Sequence, residues 1–160
     1  MGKITGICIS EKRGVQKHLI TEANIVCDWG IEGDAHGGKW HRQISLLSYD
    51  KIEAFRARGA EVEDGAFGEN VLVQGIDFRN LPVGTRLKCN DVLLEMTQIG
   101  KECHHGCQIF QKMGECIMPH EGVFAAGDVV QGANTVVHAV EEAKRAAEGM
   151  IRYMEREENE

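Results

Sequence analysis

Between Lys101 and Cys116 the chain gathers three cysteines and two histidines within sixteen residues: Cys103, His104, His105, Cys107 and Cys116. A cysteine is nucleophilic and metal-binding only as the thiolate, and His104, His105 and Lys101 stand beside these thiols in the sequence to favour that anion. Cys103 and Cys107 are therefore the candidate catalytic thiols. Other chemistries compete for the same residues. Buried structural cysteines fit poorly with so many polar and charged neighbours. A structural zinc site wants two close Cys/His pairs, whereas there is one Cys-x3-Cys here, and only Cys116 or His120 could complete it. An iron–sulfur cluster lacks a third thiolate at close spacing, because Gln108, Ile109 and Phe110 follow Cys107. A reactive or metal-ligating thiol, Cys103 or Cys107, is the third reading, weighed beside the buried-cysteine and zinc ones.

Such a segment must be held by a scaffold, and the rest of the chain reads as mostly β. Lys3 to Ser10 forms a buried first strand, with Cys8 as a small core residue, and Ala23 to Cys27 another. The glycine-rich run from Gly30 to Gly38 cannot hold regular structure and makes a loop. Ile44 to Leu47 is a short buried strand. Ser48 then caps a helix whose Tyr49, Ile52 and Phe55 share a face, and Gly59 ends it. A second glycine loop, Gly65 to Asn70, precedes Val71 to Val73; Leu81 to Thr85 is a turn before Arg86 to Lys88, and Val92 to Gln98 continues the pattern. Short strands between glycine turns, with one helix before residue 125, predict a closed or folded-over β architecture.

Beyond this point Val136, Val140, Ala143, Ala147, Met150 and Met154 recur at three- and four-residue steps, which predicts a long amphipathic helix over residues 135–156. Its apolar stripe would pack on the barrel or pair two copies as a homodimer. A net charge of −7 at 160 residues disfavours nucleic acid and anionic membranes as partners. The sequence contains no apolar run near the roughly eighteen residues needed to span a bilayer, and its start does not read as a signal peptide. The expectation is a cytoplasmic chain with reduced thiols.

The segments Gly30-Ile31-Glu32-Gly33-Asp34-Ala35-His36, His41-Arg42-Gln43-Ile44-Ser45-Leu46-Leu47, Phe67-Gly68-Glu69-Asn70, Leu81-Pro82-Val83-Gly84, Gly100-Lys101-Glu102-Cys103-His104 and Met118 to Ala125 together resemble a MOSC domain, the family named for the C-terminal domain of molybdenum cofactor sulfurases. The resemblance implies a MOSC-like β-barrel domain over residues 1–125 with one short helix, followed by a helical appendage over 126–160. It also implies molybdenum cofactor (molybdopterin) binding, and a cysteine that coordinates molybdenum or carries sulfur as a persulfide. By position that cysteine is Cys103, with Cys107 as its rival. The chain would act as a sulfurtransferase or as part of a molybdenum-dependent reductase. Its partners would be a cysteine desulfurase or another sulfur donor, and a molybdoenzyme or cofactor-biosynthesis protein; a non-catalytic zinc or cofactor carrier is the alternative.

Glycine-loop amides can meet a phosphate, with His36, His41 and Arg42 adding positive charge and Asp34, Glu69 and Asn70 accepting hydrogen bonds from a pterin ring. Asp34 and Asn70 serve equally well as turn-fixing residues. Lys101, His104 and His105 would tune the thiols. Pyridoxal phosphate is not expected, since a desulfurase domain does not fit in this length. The tail from Ala126 to Val137 resembles the C-terminal flavin-contacting motif of glutamate synthase small subunits. No Gly-x-Gly-x-x-Gly precedes it, so flavin is not expected either.

Overall fold

The structure, a computed structural model, describes residues 1–103, 106–129, 134–138 and 150–154. Eleven strands are described: β1 (Gly2–Ile9), β2 (His18–Ile20), β3 (Glu22–Val26), β4 (Gly30–Ile31), β5 (Ile44–Ser48), β6 (Val71–Gln74), β7 (Arg86–Cys89), β8 (Val92–Ile99), β9 (Val123–Val129), β10 (Asn134–His138) and β11 (Met150–Met154). Three short helices accompany them, α1 (Tyr49–Ala57), α2 (Gln108–Met113) and α3 (Met118–Glu121). Eight strands form a curled sheet in the order β11-β7-β8-β9-β5-β6-β1-β2, and β11 also pairs with β1, which brings the ends of the sheet together. A smaller sheet, β10-β3-β4, shares no strand pairing with it but packs Ala23, Ile25 and Ile31 into the same core.

The expected mostly β, barrel-like fold is thus present, and the alternation of apolar residues explains why. Ile4, Ile7, Leu46, Val71, Val73, Leu87, Leu94, Met96 and Val123 enter one core cluster, while Cys8, Leu47, Leu72 and Phe124 face a second under α1. Residues alternate across each strand, so one curled sheet feeds both clusters. Helix α1 contributes Ile52 and Phe55 to the second cluster. Ser48 occupies its N-cap position, but the hydroxyl makes no capping bond.

Two expectations need correction. Helices α2 and α3 join the single helix anticipated before residue 125. The long C-terminal helix is not seen: β10 and β11 are strands, and the remainder of 135–156 lies outside the described residues. Apolar residues at three- and four-residue steps fit a helix. The β-branched run Thr135-Val136-Val137 nevertheless favours a strand, and five register pairs with β3 realise it. Strand β9 runs across the boundary expected at Ala125, pairing with β8 as far as Val129. Among the described residues, no helix is long and apolar enough to cross a membrane.

Candidate functional site

The cysteine segment leaves β8 through a left-handed turn at Gly100 (φ 79°). A Cβ there would stand 2.3 Å from the Pro119 carbonyl oxygen, so only glycine lets the chain lie against α3, where the Gly100 N–H also donates to Gly122 O at 2.7 Å. Gly100→Ala is expected to cost about 2 kcal/mol or more, from backbone strain and the displaced contact. Urea denaturation reads this directly, and a loss under about 0.5 kcal/mol would show that the turn has room to spare.

The turn delivers Cys103 to the wall of a cleft of about 1080 Å³, which Cys107 and Cys116 also line. Cys107 sits at the N-cap of α2 and its sulfur accepts the Phe110 N–H at 3.4 Å. Burial, followed by the proximity of Cys103 and Cys107, pushes the Cys116 thiol up to about 11, against a Met118 N–H that favours the anion. At neutral pH it is a thiol and a donor. Cys103 and Cys116 also border a neighbouring cleft of about 550 Å³ that includes Lys101 and His120. Cys116, weighed from sequence only as a completing zinc ligand, is thus a member of the thiol cluster. Among the described residues, no group of three His, Cys, Asp or Glu side chains is placed to hold a metal ion. His104 and His105 lie outside the described residues.

A basic and aromatic stretch of wall accompanies the thiols: His36, Trp40, Arg42 and Lys101 line the same cleft, with Lys112 on α2. Gln98 organises part of this wall: its amide nitrogen donates to Gly100 O at 2.8 Å, which turns its oxygen to accept from Arg42 Nε at 3.0 Å and from His41 Nε2 at 3.2 Å. The Arg42 guanidinium lies 5.0 Å from the Phe124 ring centroid. His41 is tied to this arrangement but does not line the cleft. The Trp40 indole donates to the His36 carbonyl at 2.9 Å, and Gly37 of the same loop packs flush on Trp29, where a Cβ would lie 2.5 Å from the indole nitrogen. Neither Gln98 nor Trp40 carried a recognisable signal in the sequence.

Behind the wall lies an unexpected buried cation. Lys17 is 2% exposed and its ammonium meets Asp34 Oδ1 at 2.5 Å and His36 Nδ1 at 3.2 Å. Asp34 also accepts the Ser10 N–H at 3.0 Å and the His36 N–H at 3.3 Å. Burial opposes the charged carboxylate, yet hydrogen bonds from Lys17, Ser10 and Asn70 and the Lys17 charge together hold Asp34 below its ordinary value. Asp34 is therefore the anchor of this buried cluster and is not among the residues lining the cleft. For His36, burial and then Lys17 outweigh the pull of Asp34 and lower the imidazole below 6.5. The positive charge expected from His36 is thus not supplied at neutral pH; Arg42 and Lys101 carry it.

Glu69 is held within the scaffold away from the cleft, whereas Asn70, 2% exposed, lines the cleft with its side chain engaged by scaffold partners. Glu69 is fully buried and accepts the Gly65 N–H at 2.6 Å and the Phe67 N–H at 3.0 Å, folding the second glycine loop around its carboxyl group. Asn70 accepts from the Ser45 N–H at 3.1 Å and hydroxyl at 3.2 Å and donates to Cys8 O at 3.0 Å, tying β5 and β1 to the start of β6. Burial raises Glu69 to about 7, despite the hydrogen bonds that favour its anion. A carboxyl raised on folding contributes most below its unfolded value of 4.5, and that contribution is lost as pH rises through about 7. The stability difference between pH 5 and pH 8 is accordingly expected to shrink in Glu69→Gln; an unchanged difference in chemical denaturation would count against this assignment.

The sequence matches the MOSC domain over residues 32–136. The chain belongs to the MOSC domain family. Solved structures agree in fold: YuaD from Bacillus subtilis has a TM-score of 0.67 at 17% identity, covering 87% of this chain and 92% of its own. YiiM from Geobacillus stearothermophilus gives 0.66 at 14% identity, covering 98% and 76% respectively. YiiM from Escherichia coli gives 0.58 at 17%, covering 96% and 70%. The MOSC match extends to residue 136, past Gly127-Asp128, which lie in β9. The resemblance of this tail to a flavin motif is therefore corrected: the stretch is part of the MOSC sheet.

Proposed function

We propose that this MOSC domain binds the molybdenum cofactor in its main cleft and carries sulfur on Cys103. The convergence of Cys103, Cys107 and Cys116 on the lining of a cleft that Arg42 and Lys101 also line carries the reading. Thiolate is a soft ligand suited to molybdenum, and guanidinium and ammonium groups suit a phosphate. A cleft of this size accommodates a ligand of the pterin class, and the Trp40 ring offers a flat face to it. The donor set therefore fits the group. Bound there, the cofactor supplies a redox-active metal with sulfur in its coordination sphere.

The chain's own residues do the rest. The Cys103 thiolate attacks the outer sulfur of a donor persulfide; the donor S–S bond breaks, the donor leaves as a thiolate, and Cys103 keeps the transferred sulfur as a persulfide. Cys116, held as a thiol beside it, supplies an S–H to the same cleft. Arg42, oriented by Gln98, and Lys101 hold the anionic end of the cofactor. A sulfur donor such as a cysteine desulfurase loads the site, and a molybdoenzyme or cofactor-maturation protein unloads it.

Purified from a host that makes the cofactor, the protein is expected to retain molybdenum and pterin together. Replacing both Arg42 and Lys101 by alanine should weaken retention by about tenfold or more, as loss of charge-assisted hydrogen bonds implies. Stoichiometric zinc in place of molybdenum, released together with unfolding, would overturn the proposal in favour of a metal-binding module.

A further inference from the structure

The contact between a buried lysine and a histidine of the cleft wall sets a proton position. An ammonium group has only donors to offer, so the His36 Nδ1 that lies 3.2 Å from Lys17 Nζ must be the acceptor. The alternative would need an acceptor for an Nδ1–H, and the nearest carboxylate oxygen, Asp34 Oδ2, is 3.7 Å away, beyond hydrogen-bond reach. Neither end of this contact is free to turn. Lys17 is fixed by Asp34, Asp34 by the Ser10 and His36 amides, and the His36 backbone by the Trp40 indole. With Nδ1 directed inward, the exposed third of the imidazole presents its Nε2 edge to the cleft.

We propose that Lys17 is a positioning residue that locks His36 as the Nε2–H tautomer, so that the cleft is furnished with a fixed hydrogen-bond donor at this point. The ligand atom that meets it is an acceptor, such as a carbonyl or anionic oxygen or an unprotonated ring nitrogen. His36 is thereby excluded as a general base toward the cleft, because its one lone-pair nitrogen already faces an ammonium group. The charged groups around the ring are Lys17, Asp34, Arg13 and Lys101; three of the four are cations, which oppose a second proton. This inference concerns the chain without any ligand and stands or falls independently of the cofactor reading.

Nitrogen-15 NMR of the full chain, labelled at histidine, tests it. At pH 7 the expected spectrum shows His36 with Nε2 protonated and Nδ1 bare, and its titration midpoint lies below 6.5. In the double variant Lys17→Met/Asp34→Asn, which removes both buried charges together, the lock on Nδ1 is gone and the spectrum should show a mixture of Nδ1–H and Nε2–H forms. An Nδ1–H tautomer or a doubly protonated ring at pH 7 in the wild type overturns the proposal. A pure Nε2–H tautomer that persists in the double variant removes Lys17 from the role. Should that variant fail to fold, the wild-type spectrum alone decides.

Discussion

Lys17→Met is expected to destabilise the protein by about 3–5 kcal/mol, because it leaves the Asp34 carboxylate buried without its counter-charge. The two side chains are almost wholly inaccessible, at 1% and 0% exposure, so water cannot replace the missing partner. Removing both charges in Lys17→Met/Asp34→Asn should recover much of the loss, since an asparagine oxygen still accepts the Ser10 N–H. Urea midpoints at unchanged slope measure both effects. The pH dependence gives a second reading. A carboxylate lowered on folding contributes stability above its unfolded value of 3.8 and loses it as pH falls through the lowered one. The acid limb of stability should therefore flatten in the lysine variant. A loss below about 1 kcal/mol, with the acid limb unaltered, would mean that Asp34 finds other compensation.

Cys103→Ser is expected to reduce persulfide loading by about a hundredfold or more, the scale on which enzymes lose activity with their nucleophile. Two companion substitutions make that result interpretable. Serine is a favoured N-cap residue, so Cys107→Ser replaces the sulfur that accepts the Phe110 N–H with an oxygen that does the same, and α2 should remain intact. Any chemical defect in that variant is then a defect of the thiol. Cys116→Ser keeps a hydroxyl donor beside Cys103 and should lose much less activity than Cys103→Ser. Labelling with a persulfide-selective reagent and mass mapping separates the three. Loading that survives in Cys103→Ser and vanishes in Cys107→Ser would move the working thiol to Cys107.

The parts of the fold that were legible in the sequence are those with a local cause. Period-two burial along Lys3 to Ser10 and Val92 to Gln98, and the Tyr49, Ile52, Phe55 face after Ser48, each state their structure within a few residues. The thiol segment was visible by residue type, and the colinear loop motifs by resemblance. What escaped was set by distant partners. Lys17 sits in a polar stretch indistinguishable from a solvated turn, and only the approach of Asp34 and of Gly65, whose Cβ would stand 2.2 Å from the Lys17 carbonyl oxygen, makes it interior. Glu69 and Asn70 look like ligand-binding groups because polar residues in glycine loops serve either purpose; the buried amides that occupy them are invisible without the fold. At Thr135 to His138 two periodicities overlapped, and pairing with β3 decided between them.

The placement of the two tryptophans has an optical consequence. The chain has no others; Trp40 belongs to the loop that carries Asp34 and His36, and Trp29, just before β4, packs against Gly37 of that loop, the two being partly open to solvent at 40% and 45%. All indole emission therefore originates in or against this loop, with Trp40 on the cleft lining and hydrogen-bonded to the backbone of His36. A heterocycle settling against Trp40 would quench or shift that emission, whereas loosening of the core beneath α1 would leave it largely unchanged. Intrinsic fluorescence of this protein is thus a gauge of cleft occupancy before it is a gauge of folding.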